Sequence, residues 1–200
     1  MATIAVPRSG IEKRIFLLQW LTLGWMLVEC SVALTAAFQT RSASLLAFGS
    51  DSVVELISAV VVLLQFTSRF RVSQVKAARL CGVLLYGLAG VVSAIAIAGL
   101  IYRLKADISR SGIAITAGAL LLMPVLASLK RRAANETGNR ALRADAVQSA
   151  TCAYLAALTL DGLLVRSAFG LNWLDQVAAL AAVPILIIEG KRARKGHACC

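Results

Sequence analysis

Charged residues are scarce in this chain of 200 residues. Asp, Glu, Lys and Arg together make up 16% of it, whereas soluble domains carry about 25%. Histidine occurs once and proline three times, while hydrophobic residues reach 59% and the mean hydropathy is +0.79. So few charges cannot coat a soluble fold of this size. The composition therefore excludes a soluble globular domain and predicts an integral membrane protein.

Several other features are missing, and each absence excludes a class of protein. The five cysteines are odd in number and show no CxxC spacing, so a disulfide framework is not expected. The first apolar run is far longer than the core of a cleavable signal. No span or loop carries a nucleophile with a base, a histidine pair or a phosphate loop, which argues against an enzyme. The basic residues punctuate apolar runs and do not alternate with aromatic residues, so nucleic-acid binding is not predicted.

Long apolar runs fill most of the chain. A membrane-spanning helix needs about 20 apolar residues, and strands would need short alternating segments instead. We therefore predict an all-α membrane protein, a bundle of six transmembrane helices with no room for a soluble domain. The predicted spans are 15–38, 44–66, 78–102, 112–129, 142–168 and 173–189.

The basic residues predict the orientation of these spans. Sixteen of the 21 Lys and Arg fall on the side of the chain termini, and such residues are enriched in cytoplasmic loops. The N-terminal segment 1–14 and the basic tail 190–200 are therefore expected in the cytoplasm, with contacts to anionic lipid headgroups. The predicted location is a multi-pass position in a membrane, the inner membrane if the source is bacterial.

Five of the ten acidic residues fall inside predicted spans or at their outer margin: Glu29, Asp51, Glu55, Asp161 and Asp175. An acid near the centre of a membrane helix costs at least ~2.5 kcal/mol, so such residues face a partner or a water-filled cavity. Asp51 and Glu55 are separated by one helical turn on one face of span 2. Adjacent carboxylates in lipid need a proton, a basic side chain or a divalent cation between them.

A salt bridge is the least favoured of these three choices. Lys130 is placed in the hydrophilic segment 130–141, and no Lys or Arg is expected deep in a span. A shared proton stays open, and for a cation transporter that proton would be part of the mechanism.

Span 5 repeats the spacing of span 2. Leu45, Ala47, Asp51 and Glu55 in span 2 correspond to Leu142, Ala144, Gln148 and Cys152 in span 5. Gln148 and Cys152 therefore share a helical face at the depth of a midplane site. Two carboxylates, an amide oxygen and a thiolate could surround a tetrahedral cation. Taken singly, Gln148 could instead hydrogen-bond another helix, and Cys152 could be a small buried apolar residue.

These residues resemble the cation diffusion facilitator family, secondary transporters that export divalent metals in exchange for protons. The resemblance covers nearly the whole chain: six spans, cytoplasmic termini, the acid pair of span 2, the A-D-A stretch 144–146 and the W-L-D-x-V-A-A-L stretch 173–180. It implies a transport site in which an acid pair on span 2 faces a His-x3-Asp pair on span 5. At the matching positions this chain has Asp51 and Glu55, then Gln148 and Cys152.

The two departures on span 5 bear on the metal and the protons. A glutamine cannot titrate, and a cysteine favours zinc-like ions over manganese or magnesium. The resemblance thus implies proton-coupled efflux of a zinc-like divalent ion, with no prosthetic group. Family members usually continue into a cytoplasmic dimerising domain, whereas this chain ends about eleven residues after span 6, so a homodimer is expected through the spans. The alternative is a metal sensor or a regulatory partner of a full-length exporter that does not itself transport.

Further polar residues are candidates for supporting roles. Glu29 and Cys30 could act as an alternate ligand pair, or Glu29 could hydrogen-bond a hydroxyl of a neighbouring helix. Asp145 lies near the cytoplasmic end of span 5. Asp161 and Asp175 could line an outer vestibule, although an acid near a helix start such as Asp175 also complements the helix dipole.

The tail ends in His197, Cys199 and Cys200. Imidazole and thiols hold zinc, so these residues could form a transient cytoplasmic loading site. A solvated basic tail and lipidation of the cysteines are the other readings of the same residues.

Overall fold

The computed structural model describes residues 10–65, 74–103, 107–138, 140–171 and 173–194. This part of the chain is all-α, as predicted, and contains no strand. Its helices are α1 (Gly10–Thr40), α2 (Ala43–Gln65), α3 (Gln74–Ile101), α4 (Arg110–Thr137), α5 (Arg140–Phe169) and α6 (Leu174–Arg194).

Four of these helices contain a segment that is long and apolar enough to cross a membrane. The segments are Lys13–Thr40 in α1, Gly82–Ile101 in α3, Arg110–Thr137 in α4 and Asp145–Phe169 in α5. Each is at least as long as the roughly 20 residues that a bilayer requires. This finding agrees with the predicted membrane class.

Large apolar side chains on the outside and polar side chains in the interior distinguish this bundle from a soluble protein. Large apolar residues such as Phe38 and Leu121 are 74% and 76% exposed, whereas Gln19, Glu29 and Glu55 are fully buried. Exposed apolar patches of this extent mark contact with a membrane or a partner. The polar centre of the bundle is therefore the place to look for a site.

Helix α2 lies at the centre of the bundle. It packs against α1, α3, α5 and α6, while α4 packs along α5 and α3 packs along α6. The turn from α1 to α2 is short because Arg41 adopts a left-handed conformation with φ of 56°. Helix α2 therefore carries the predicted acid pair into the middle of the fold.

Helix α4 extends beyond the span predicted for it. The predicted span ended at residue 129, but α4 continues to Thr137, where the left-handed Gly138 ends it. A glycine in this conformation commonly follows the last turn of a helix. Most of the predicted loop 130–141 is thus helical, and this places Lys130 inside α4.

Candidate functional site

All four predicted ligands are buried in the bundle. Asp51 and Glu55 of α2 are 2% and 0% exposed, and Gln148 and Cys152 of α5 are 4% and 0% exposed. Helices α2 and α5 contact each other directly. The spacing of four residues puts the members of each pair on one side of their helix, so the two predicted pairs lie in the shared interior.

Glu29 joins three helices at this point. From α1, its carboxylate accepts hydrogen bonds from the Ser52 hydroxyl of α2 at 2.6 Å and from the Cys152 thiol of α5 at 3.3 Å. The indole Nε1 of Trp25 donates a third hydrogen bond. Of the two interpretations of Glu29, a ligand pair with Cys30 or a hydrogen bond to a hydroxyl of another helix, the bond from Ser52 matches the second.

The Cys152 thiol lies among acidic side chains in the interior. It is fully buried and donates to Glu29 at 3.3 Å, and its helix packs on α2, which carries the buried Asp51 and Glu55. We call Cys152, Glu29, Asp51 and Glu55 together the acid cluster.

Lys130 overturns the expectation that no basic side chain reaches the acid pair. Its ammonium Nζ lies 3.9 Å from Glu55 Oε1 and 3.0 Å from Asp145 Oδ2, and all three side chains are fully buried. It also donates a hydrogen bond of 2.8 Å to Ser149 Oγ. The sequence prediction was wrong because α4 continues past the end of its apolar run, which carries Lys130 into the bundle.

Ser149 and Gln19 complete the surroundings of this ion pair. The Ser149 hydroxyl, which accepts from Lys130, donates to Glu55 Oε1 at 2.6 Å. Gln19 Nε2 of α1 donates to Asp145 Oδ2 at 2.7 Å. Asp145, predicted as a residue near the cytoplasmic end of span 5, is thus connected to α1 and α4 and, through Lys130, to Glu55.

Five buried side-chain atoms in the described part of the chain have no hydrogen-bond partner, and all five are oxygens that accept. They are Gln19 Oε1, Asp51 Oδ2, Glu55 Oε2, Asp145 Oδ1 and Gln148 Oε1. A buried polar atom without a partner is costly and is rare in native proteins. Three of the five belong to predicted ligands. An interior with surplus acceptors and no surplus donors is suited to a cation.

The predicted ligands are not assembled into a closed metal cage. Among the described residues, no three His, Cys, Asp or Glu side chains are placed so that together they could hold a metal ion. Glu55 is turned towards Ser149 and Lys130, and Cys152 is turned towards Glu29. Binding one ion between α2 and α5 therefore requires these side chains to leave their present partners.

Asp175 lies apart from the acid cluster and has a capping role. It is fully buried in the first turn of α6, and it accepts hydrogen bonds from the Ser42 hydroxyl at 2.6 Å, the Ala43 amide at 2.8 Å and the Ser44 hydroxyl at 2.6 Å. These donors stand at the start of α2, where backbone amides lack helical partners. Asp175 thereby fixes the beginning of α2 to α6.

The remaining candidates are not brought to the cluster. Cys30 is buried, but its thiol donates to the Leu27 carbonyl of its own helix at 3.4 Å. Asp161 is exposed on α5. His197, Cys199 and Cys200 lie outside the described residues.

Sequence reasoning missed Lys130, Ser149, Ser52 and Gln19. The signal for Ser52 and Ser149 was present, because they precede Glu55 and Cys152 by three residues, a spacing that puts side chains on one helical face. The pairing of Lys130 with Glu55 spans distant parts of the chain and follows only from the packing of α4 on α5 and of α5 on α2.

Comparison with known proteins adds no relative. A scan of the chain against protein-family models matches none, and a comparison with curated proteins finds no matching sequence.

Proposed function

We propose that this protein is an integral membrane transporter of divalent, zinc-like cations, similar to the cation diffusion facilitators, and that it exports the ion in exchange for protons. The observation that carries the proposal is the set of buried acceptor oxygens without donors on Asp51, Glu55 and Gln148. Carboxylate and amide oxygens together with the Cys152 thiolate form a mixed donor set that suits zinc better than magnesium or manganese.

We propose that all six helices cross the membrane. Helices α2 and α6 contain 23 and 21 residues, which is long enough for the hydrocarbon core. Helix α2 carries several polar residues, and Ser44, Ser52 and Glu55 among them are buried against other helices. Polar side chains in a membrane helix face the interior of the bundle, so the polarity of α2 is compatible with a central span. The excess of Lys and Arg at the terminal side supports cytoplasmic termini.

Coupling to protons follows from the chemistry of the donor set. Metal ions bind thiolate and carboxylate, so binding releases any protons those groups hold. In the present structure Cys152 is a thiol that donates to Glu29. Loading an ion at Cys152 therefore releases the thiol proton, and reprotonation from the other side of the membrane expels the ion as the bundle rocks.

The first prediction tests this site by flux. Asp51→Asn removes one of the two anionic ligands of α2 while keeping the size of the side chain, so zinc-driven proton flux in proteoliposomes should be lost. Glu136→Gln is the matched control, because Glu136 is exposed near the end of α4, and it should transport at the wild-type rate. Unchanged flux in Asp51→Asn would refute the assignment of Asp51.

The second candidate function is a membrane metal sensor without transport. It is favoured by the neutral Gln148, which cannot carry a proton at the position where the resemblance implies a titratable histidine. Reconstitution of the purified chain separates the two functions. Stoichiometric zinc binding with no net flux supports the sensor, whereas zinc flux coupled to proton flux supports the transporter.

A further inference from the structure

We propose that Lys130 is a tethered cation that holds the place of the transported ion at Glu55 and must withdraw to Asp145 when a divalent ion binds. This inference rests on the proposed function. In this proposal Lys130 does not bind the divalent ion but changes the affinity of the site for it.

The contacts of Lys130 are unequal, which assigns different roles to its two acids. Asp145 contacts the ammonium directly at 3.0 Å, whereas Glu55 lies at 3.9 Å. Ser149 stands between Lys130 and Glu55, accepting from Nζ at 2.8 Å and donating to Glu55 Oε1 at 2.6 Å. Asp145 is therefore the anchor of the ammonium, and Glu55 is the partner that can be exchanged.

Asp145 can bind the Lys130 ammonium without help from Glu55. Asp145 Oδ1 has no hydrogen-bond partner in the present arrangement, so it can accept from Nζ after the ammonium has left Glu55. Gln19 holds the other oxygen, Oδ2, at 2.7 Å and fixes the carboxylate in place. The flexible four-carbon stem of lysine allows such a shift without movement of the helix.

Repulsion between the divalent ion and the ammonium drives Lys130 from Glu55 to Asp145. Glu55 Oε2 is also unpartnered, so a divalent ion could reach Glu55 while the ammonium still lies near Oε1. Two cations about 4 Å apart repel by several kcal/mol at the effective dielectric constant of a protein. Binding of the ion therefore drives Lys130 towards Asp145, and the return of Lys130 to Glu55 helps to release the ion.

This competition predicts opposite effects for two neighbouring substitutions. Lys130→Gln removes the competing charge, so zinc should bind at least tenfold more tightly, since relief of about 1.4 kcal/mol of repulsion already gives this factor. Asp145→Asn removes the anchor and leaves the ammonium to Glu55 alone, so zinc should bind more weakly by a similar factor. A residue with a purely structural role would weaken binding in both variants.

The experiment is calorimetric titration of the purified full chain in nanodiscs with zinc, at one pH and one ionic strength, for the wild type and both variants. Because Lys130→Gln leaves two buried acids without a cation and could impair folding, the double variant Lys130→Gln with Asp145→Asn is titrated as well. It should bind zinc more tightly than Asp145→Asn alone.

The outcomes separate this inference from the proposed function. If the wild type binds zinc and Lys130→Gln fails to tighten binding in either background, the tethered cation is refuted, whereas the proposed zinc binding by the chain is not. If no variant binds zinc, both are refuted. Tighter binding by Lys130→Gln together with weaker binding by Asp145→Asn supports the tethered cation.

Discussion

Among single residues, two buried glutamates at the centre of the protein form hydrogen bonds with side chains of neighbouring helices. Glu29 accepts hydrogen bonds from Ser52 of α2 and Cys152 of α5, and Glu55 reaches Ser149 of α5. These contacts connect the two helices that carry the predicted ligands. The polar side chains thus hold together the part of the bundle in which we propose that an ion binds.

Cys152 provides the only sulfur in the predicted ligand set, and this leads to a prediction about metal choice. Cys152→Ser introduces a hydroxyl that can donate to Glu29 in place of the thiol, but it replaces a soft sulfur ligand with a hard oxygen ligand. The ratio of cadmium affinity to manganese affinity should fall by about tenfold, the lower end of the change usual when a contact supporting a metal is altered. Competition titrations of the two metals measure this ratio.

Cys30→Ser is the control for that substitution. Its thiol donates to the Leu27 carbonyl within α1, so the ratio of affinities should stay at the wild-type value. A ratio that also stays at the wild-type value in Cys152→Ser would show that the metal does not contact the Cys152 sulfur.

At the scale of helices, the beginning of α2 determines where the acid pair sits. Three donors from residues 42–44 converge on the Asp175 carboxylate of α6. An acceptor at a helix N-terminus satisfies amides that the helix itself leaves without partners. Because Asp51 follows two turns later, a loosened start of α2 would also move the site.

This arrangement predicts a loss of stability on removal of the cap. Asp175→Ala leaves two hydroxyls and one amide without their acceptor and should destabilise the fold by about 2 kcal/mol or more, the cost of losing hydrogen bonds to a charged group. Asp161→Ala is the control, because Asp161 is exposed on α5. Thermal unfolding in detergent measures both, and equal melting temperatures for the two variants would contradict the capping role.

The helices also show what could be predicted from sequence and what could not. In the described part of the chain, a helix lies at each of the six apolar runs found in the sequence. The shared face of Asp51 and Glu55 followed from helical spacing. The end of α4 did not, because hydropathy marks where an apolar run stops and not where hydrogen bonding of the helix stops. Lys130 was therefore assigned to a loop, although its side chain is fully buried.

In the whole molecule, the few acidic residues of this weakly charged chain are distributed unevenly between interior and surface. The few acids are concentrated in the interior, with Glu29, Asp51, Glu55 and Asp145 all buried near α2 and α5, while large apolar side chains cover the outside. Among the residues whose burial is described, Lys130 is the lysine that lies with these acids, and it contacts Glu55 and Asp145. Buried acidic side chains inside and apolar side chains outside are compatible with the transport proposed above.

The proposed binding of a divalent ion between α2 and α5 can be tested by anomalous diffraction from crystals of the full chain grown with zinc, with data collected on both sides of the zinc absorption edge. We expect one anomalous peak within coordination distance of Asp51, Glu55 and Cys152, with the Lys130 ammonium drawn towards Asp145. Zinc density found only elsewhere on the chain, with Glu55 still paired to Lys130, would contradict it.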